Sequence, residues 1–187
     1  MTTDHDAYCY NIMRTFRDAT PEEYTLGMEW YNDAHNLALS LNPDPWVGAG
    51  VLAAYSPLTP WPRNMELAIT SLVWGGARTE TLGNSVRAAQ RIIEGEHPLD
   101  VLKGDKTRAF CAAIADPANS RIATIDRHAH DVAVGKVCVD SERKIGKRVF
   151  RAMSDAYVEC AEYAGIGVAQ IQAVSWVVWR NRKGVTV

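Results

Sequence analysis

Apolar residues recur along this chain with a helical period almost everywhere, and no stretch alternates with the period of two that marks a half-buried strand. Tyr8, Ile12, Thr15 and Phe16 share one side of a first short helix. Thr20-Pro21-Glu22-Glu23 is a strong start signal, with Thr20 as N-cap, Pro21 in the first turn and Glu23 closing a capping box. The helix it opens places Tyr24, Met28, Tyr31, His35 and Ala38 on one face, with His35 expected as a satisfied, half-buried ring. Asn42-Pro43-Asp44-Pro45 breaks the chain. Residues 46–55 then form a helix of small residues, in which Gly48, Ala49, Gly50, Ala53 and Ala54 allow close approach of a neighbour. Pro57, Pro60 and Pro62 stiffen the next loop, because each fixes φ and lowers the entropy of the free chain.

Pro62 is expected to open a helix ended by Gly75-Gly76, and residues 84–93 form another, ended by Gly95. A brief turn at 98–102 leads into a helix over 107–115, stopped by Asp116-Pro117. Asp126 starts a helix that reaches Gly135. Ser141 is expected to cap a long helix with Ile145, Val149, Met153, Ala156 and Cys160 as its apolar stripe, and Lys144, Lys147, Arg148 and Arg151 off it. Residues 168–180 form the last helix, rich in aromatics. The pattern predicts an all-α protein of about nine or ten helices, without repeats or a flexible linker.

Composition changes this picture little. With 187 residues, 47% of them hydrophobic and 22% charged, the chain is long enough for a real core, in one domain or two small lobes. No run approaches the about 18 apolar residues of a membrane span. The N-terminal Met-Thr-Thr-Asp-His-Asp lacks the basic-then-apolar order of a signal peptide, so a cytoplasmic location is expected. The four cysteines, Cys9, Cys111, Cys138 and Cys160, show no C-x-x-C spacing, which predicts buried reduced thiols, no iron–sulfur cluster, no metal and no cofactor.

Charge is more informative. Residues 1–100 carry 6 Lys/Arg against 13 Asp/Glu, a charge of −7, whereas residues 101–187 carry 14 against 9, a charge of +5. Such asymmetry points to a basic face that suits nucleic acid, though an uneven scatter of charge reads the same way.

The basic half also holds the most distinctive stretch. Gly104-Asp105-Lys106-Thr107 reads as a tight turn opening a helix, whose N–H groups suit a phosphate. Twenty positions after Lys106, a short apolar run over 122–125 delivers Asp126 to the start of another helix. Asp126 has a plain role there as an N-cap. The pair of motifs nevertheless resembles the core of the helix-hairpin-helix (HhH-GPD) DNA glycosylase superfamily, of the endonuclease III type. In that family a Gly-x-Lys-Thr hairpin precedes a Val-Asp-Thr-His run that enters a helix. Gly104, Lys106 and Thr107 match the hairpin; Asp126 and His128 match the second motif. The likeness covers residues 45–135. It departs from the family at Lys103, where the hairpin's first glycine is usual, in a slightly wider spacing between motifs, at Arg127 in place of threonine, and in lacking the four-cysteine loop.

The resemblance implies two helical lobes, residues 45–125 and residues 1–44 with 126–187, and a site with Asp126 in the cleft between them. It implies DNA as partner, with a nucleotide flipped out of the stack. Asp126 would stabilise positive charge developing at C1′, and Lys106 would attack C1′ or hold a phosphate. Tyr55, Thr59 and Trp61 of the proline loop would form a base-stacking wall, or equally a packed corner. Arg127, His128, Lys144, Lys147 and Arg148 are further contacts to base or backbone. Small phage-encoded relatives of the superfamily are linked to thymine hypermodification, in which an amino acid or amine displaces pyrophosphate from an activated 5-hydroxymethyl base. The compact chain and its tail over 171–180 are similar to those proteins. Three functions follow: a glycosylase, a base-modifying transferase with a small amine co-substrate acting in a host cytoplasm, or a non-catalytic DNA-binding or virion protein. Glycosylase-type chemistry leads. The oligomeric state is left open.

Overall fold

The computed structural model describes residues 4–183, so the first three positions of the N-terminal segment lie outside it. Those residues are all-α. Ten helices follow one another: α1 (Asp4–Arg17), α2 (Pro21–Leu41), α3 (Pro45–Tyr55), α4 (Trp61–Trp74), α5 (Gly83–Ile93), α6 (Pro98–Val101), α7 (Asp105–Ala115), α8 (Arg127–Val134), α9 (Lys147–Ala164) and α10 (Val168–Lys183). No strand occurs among the described residues.

The chain divides into two compact units: residues 1–31 with 118–187, and residues 32–117. The boundary falls inside α2. That helix begins with the expected capping box. The Thr20 N–H donates to Glu23 Oε2 at 3.0 Å, and the Glu23 N–H donates to Thr20 Oγ1 at 3.2 Å.

The 32–117 unit is built around α3, which contacts α4, α5, α6 and α7. A helix that is apolar on every side has no face to offer water, and Gly48 to Tyr55 are all buried. Its glycines are where neighbours come closest. A Cβ on Gly48 would lie 2.4 Å from the Ala38 carbonyl oxygen, and one on Gly50 would lie 2.5 Å from Pro98 Cγ. Asn64 of α4 closes the end of α3 by donating from Nδ2 to the Leu52 carbonyl at 3.0 Å, one of the orphan acceptors of a helix C-terminus. His35 is satisfied through the Ile114 carbonyl, 2.9 Å from its Nδ1.

In the other unit, α1, α8, α9 and α10 enclose a core of Ile12, Ile125, Val132, Met153, Tyr157 and Ile171. Cys111, Cys138 and Cys160 are buried and Cys9 is half-buried; none forms a disulfide. No helix among the described residues is long and apolar enough to cross a membrane.

One expected element differs. Ser141 caps no helix; α9 starts only at Lys147, behind Gly146. Residues 139–146 form consecutive short turns instead, with Glu142 N–H donating to the Val139 carbonyl and Gly146 N–H to the Lys144 carbonyl. Glu142, the residue that would start the helix, is drawn away by Lys136 Nζ at 2.8 Å and by the Val139 N–H at 3.1 Å. Lys144 therefore stands in a turn, while Lys147 and Arg148 occupy the first turn of α9, and all three are exposed.

Candidate functional site

Asp126 is positioned by a short extended run pinned to α9. The Ala123 N–H donates to Ser154 Oγ at 3.0 Å, and the run then turns into α8 with its apolar side chains Ala123 and Ile125 in the core. Asp126 is the N-cap: its Oδ1 accepts from the N–H groups of His128 at 2.9 Å and Ala129 at 2.8 Å. One oxygen thus serves the cap twice. Oδ2 accepts no hydrogen bond from the described residues.

A polar shell in the same unit surrounds that carboxylate. The Arg127 Nε–H donates to His128 Nε2 at 3.2 Å, which places the proton of the neutral ring on Nδ1. Burial holds His128 below its ordinary value; Asp126 opposes this, while Arg127 and Arg180 add to it. The Arg180 guanidinium lies over the Trp176 ring, 4.4 Å from its centroid, and His128 meets the same indole edge-on at 6.3 Å. Arg180 Nε is buried without a hydrogen bond to the described residues. Tyr31 donates to Gln172 Oε1 at 2.8 Å and lies 3.1 Å from Thr124 Oγ1; a phenol has one proton, so the threonine hydroxyl donates back. Burial pushes the Tyr31 and Tyr157 phenols well up, and the charge of Asp126 raises both further, so each remains a neutral donor. A carboxylate fixed at a helix start with one oxygen open can stabilise a positive centre brought to it, an attraction that the nearby Arg127 and Arg180 reduce.

The Gly104 motif is a helix–turn–helix of small size. Gly104 is the N-cap of α7 with no side-chain cap, and Thr107 Oγ1 donates to the Gly104 carbonyl at 2.9 Å. The turn is stitched by Lys103 Nζ to the Asp100 carbonyl at 2.6 Å and by Arg108, which donates to the carbonyls of Leu99 and Leu102. Lys106 is half-buried in the first turn of α7.

The proline loop is only partly packed, with Leu58 93% exposed, and Tyr55, expected there as a stacking residue, does not face solvent. It is 0% exposed, with its hydroxyl 2.8 Å from Ser71 Oγ and accepting the Arg78 N–H at 2.8 Å. Because α3 is buried on all sides, its last residue points inward like the rest. Trp61 opens α4, one residue before the expected Pro62, and stands edge-on to Phe110 at 6.3 Å. Thr59 is half-buried, with its Oγ1 donating to the Pro57 carbonyl at 3.1 Å.

Asp131 and its partners were not foreseen from the sequence. Its carboxylate receives four donors: Arg143 Nε at 2.9 Å, Arg143 Nη2 at 2.7 Å, His130 Nδ1 at 3.2 Å and the Cys138 N–H at 3.2 Å. Twelve residues and several turns separate Asp131 from Arg143, and no periodic signal links them.

Residues 1–183 match the family described as "Family of unknown function (DUF7178)". The chain belongs to this family. No curated protein and no solved structure matches it. In this DUF7178 member the Asp131 carboxylate is fully engaged by its four donors, whereas Asp126 keeps one oxygen open.

Proposed function

We propose that this protein acts on DNA bases, flipping a nucleotide and loosening its N-glycosidic bond with Asp126 as the charge-stabilising carboxylate. The observation that carries the reading is the state of Asp126: one oxygen fixed by two backbone N–H groups, the other open, beside His128 and the Arg180–Trp176 stack. Loss of a base leaves positive charge at C1′ of the sugar, and a carboxylate held rigid by a helix start meets that charge without reorganising. A base inside a duplex is out of reach, so extrusion, at about a few kcal/mol, is part of the reaction.

Sequence-independent grip is assigned to backbone and cations. In the 32–117 unit, the open N–H groups at the start of α7, with Lys106, suit a phosphate; in the other unit, the exposed Lys144, Lys147 and Arg148 at the start of α9 suit a phosphate backbone in their own right. Mass spectrometry of nucleosides from DNA incubated with the protein tests the proposal, using duplexes that carry natural and 5-hydroxymethyl pyrimidines. A base lost with wild type and retained with Asp126→Asn is the expected result. A gain of mass on a base would replace it with a transferase, and unchanged DNA would leave a binding protein.

A further inference from the structure

His5 and Cys9 stand four residues apart in α1, so their side chains share one face of the helix. Glu159 of α9 comes to that face. His5 Nε2 lies 2.7 Å from Glu159 Oε2 and 3.5 Å from Cys9 Sγ, and the three donor atoms all fall within 4.8 Å of one another. Nitrogen, thiol sulfur and carboxylate oxygen thus converge from two helices of the same unit.

We propose that His5, Cys9 and Glu159 form a binding site for a divalent cation of the zinc type, with a fourth position open to solvent. The donor set suits a borderline-soft ion that accepts S, N and O together in tetrahedral geometry. With metal–ligand bonds of about 2.0–2.3 Å, a tetrahedral ion sets its ligand atoms about 3.3–3.7 Å apart. The sulfur–nitrogen separation already has that value. The nitrogen–oxygen contact is a hydrogen bond and would open by about 0.7 Å as the ion replaces the shared proton. Charge and protons balance: Cys9 releases its proton to solvent and binds as thiolate, the His5 proton resides on Nδ1, and Glu159 binds as carboxylate.

The neighbouring groups fit this assignment. Glu159 is exposed and His5 half-buried, which leaves an entry path, and the Cys9 thiol makes weak contacts to His5, to the Cys160 thiol and, at 3.8 Å, to the Ala156 carbonyl. Cys160 is not a ligand: burial, above all, pushes its thiol up to about 12, and it donates to the Cys9 carbonyl at 3.6 Å. The other convergent trio, His130, Asp131 and Cys138, is fully buried, and both Asp131 oxygens are taken by the Arg143 guanidinium, a cation that repels a metal ion.

Titration of the full-length, tag-free chain with Co²⁺ tests the site. One equivalent is expected to give a thiolate-to-cobalt charge-transfer band that Zn²⁺ abolishes. Cys9→Ser is expected to remove the band, Glu159→Gln to weaken Co²⁺ binding at least tenfold, and Cys138→Ser to leave both unchanged. Zn²⁺ is expected to raise the melting temperature of wild type and not of Cys9→Ser, whose circular dichroism spectrum checks that it is folded. No band with wild type, a band that survives Cys9→Ser, or one lost with Cys138→Ser would overturn the proposal.

Discussion

Arg143 grips Asp131 with two parallel hydrogen bonds, Nε to Oδ1 at 2.9 Å and Nη2 to Oδ2 at 2.7 Å, and Asp131 is only 2% exposed. A forked, fully hydrogen-bonded pair of this kind fixes one geometry, and here it fastens the turns over 136–146 to α8. Removing one partner leaves a buried charge uncompensated. Arg143→Ala is expected to cost about 3–5 kcal/mol in urea unfolding, and Asp131→Leu with Arg143→Leu together much less than the sum of the single changes.

Asp131 also sets the acid limit. Burial alone would raise its carboxyl, but the Arg143, His130 and Cys138 donors outweigh burial and hold it below its ordinary value of 3.8. A depressed folded value means that the unfolded chain binds the proton first. The stabilisation is therefore complete above about pH 4 and is lost as pH falls through the folded value. Unfolding midpoints measured from pH 5 to pH 2 should show a steep fall in wild type that is flattened in the double leucine variant.

His128 acts in a separate window. Burial first, then Arg127 and Arg180, keep its imidazole below the ordinary 6.5 despite Asp126. Below about pH 6.5 the unfolded chain takes up a proton that the folded chain refuses, so stability declines as pH drops from there toward the folded value. His128→Gln should lessen the loss of thermal midpoint between pH 7 and pH 5 while leaving the fall below pH 4 in place.

How much of this was legible in the sequence depends on the range of the contact. Local chemistry spoke clearly: the Thr20–Glu23 box, the small residues of α3 and the cap at Asp126 are each written within a few positions, and each is present. Ser141 misled because a serine followed by Glu142 fits a helix start and a tight turn equally well, and the pull of Lys136 on Glu142 decided for the turn. Tyr55 misled because a loop-side aromatic gives no sign of which way it points; only the burial of α3 from Gly48 to its end settles that. Asp131–Arg143 and His5–Cys9–Glu159 were silent because their partners are brought together by folding and not by spacing.

Asn64 tests one such silent contact. It is 1% exposed, and its Nδ2 is the donor that satisfies the Leu52 carbonyl at the end of α3. Asn64→Ala leaves that buried acceptor alone and should destabilise by about 1–3 kcal/mol. Asn64→Leu should be no better, since added apolar area does not replace the donor. Recovery of full stability in the leucine variant would show that the hydrogen bond contributes little.

Lys144, Lys147 and Arg148 gather cations at the start of α9, where the helix dipole already favours an anion. In solution this is unfavourable to the isolated helix, and a bound phosphate backbone would relieve it. Affinity for duplex DNA should fall linearly in a log–log plot against salt, and replacing all three cations by Gln should reduce the slope by about 2–3, without altering base preference. An unchanged slope would remove these residues from the interface.

Lys106 separates the two chemistries open to a base-acting enzyme. As a Schiff-base nucleophile it would attack C1′, and borohydride added during turnover would trap a covalent protein–DNA adduct that Lys106→Gln abolishes. Such attack requires an amine stripped of water. Lys106 is only half-buried, in the first turn of α7, and the exposed Asp105 precedes it, which suits a point charge beside a phosphate. The expected outcome is no trapped adduct, with Lys106→Arg retaining a substantial part of the activity and Lys106→Gln losing at least tenfold in DNA affinity at low salt. The nucleoside assay run beside the trap distinguishes base loss without an adduct from inactivity. An adduct that depends on Lys106 would instead make the lysine the nucleophile.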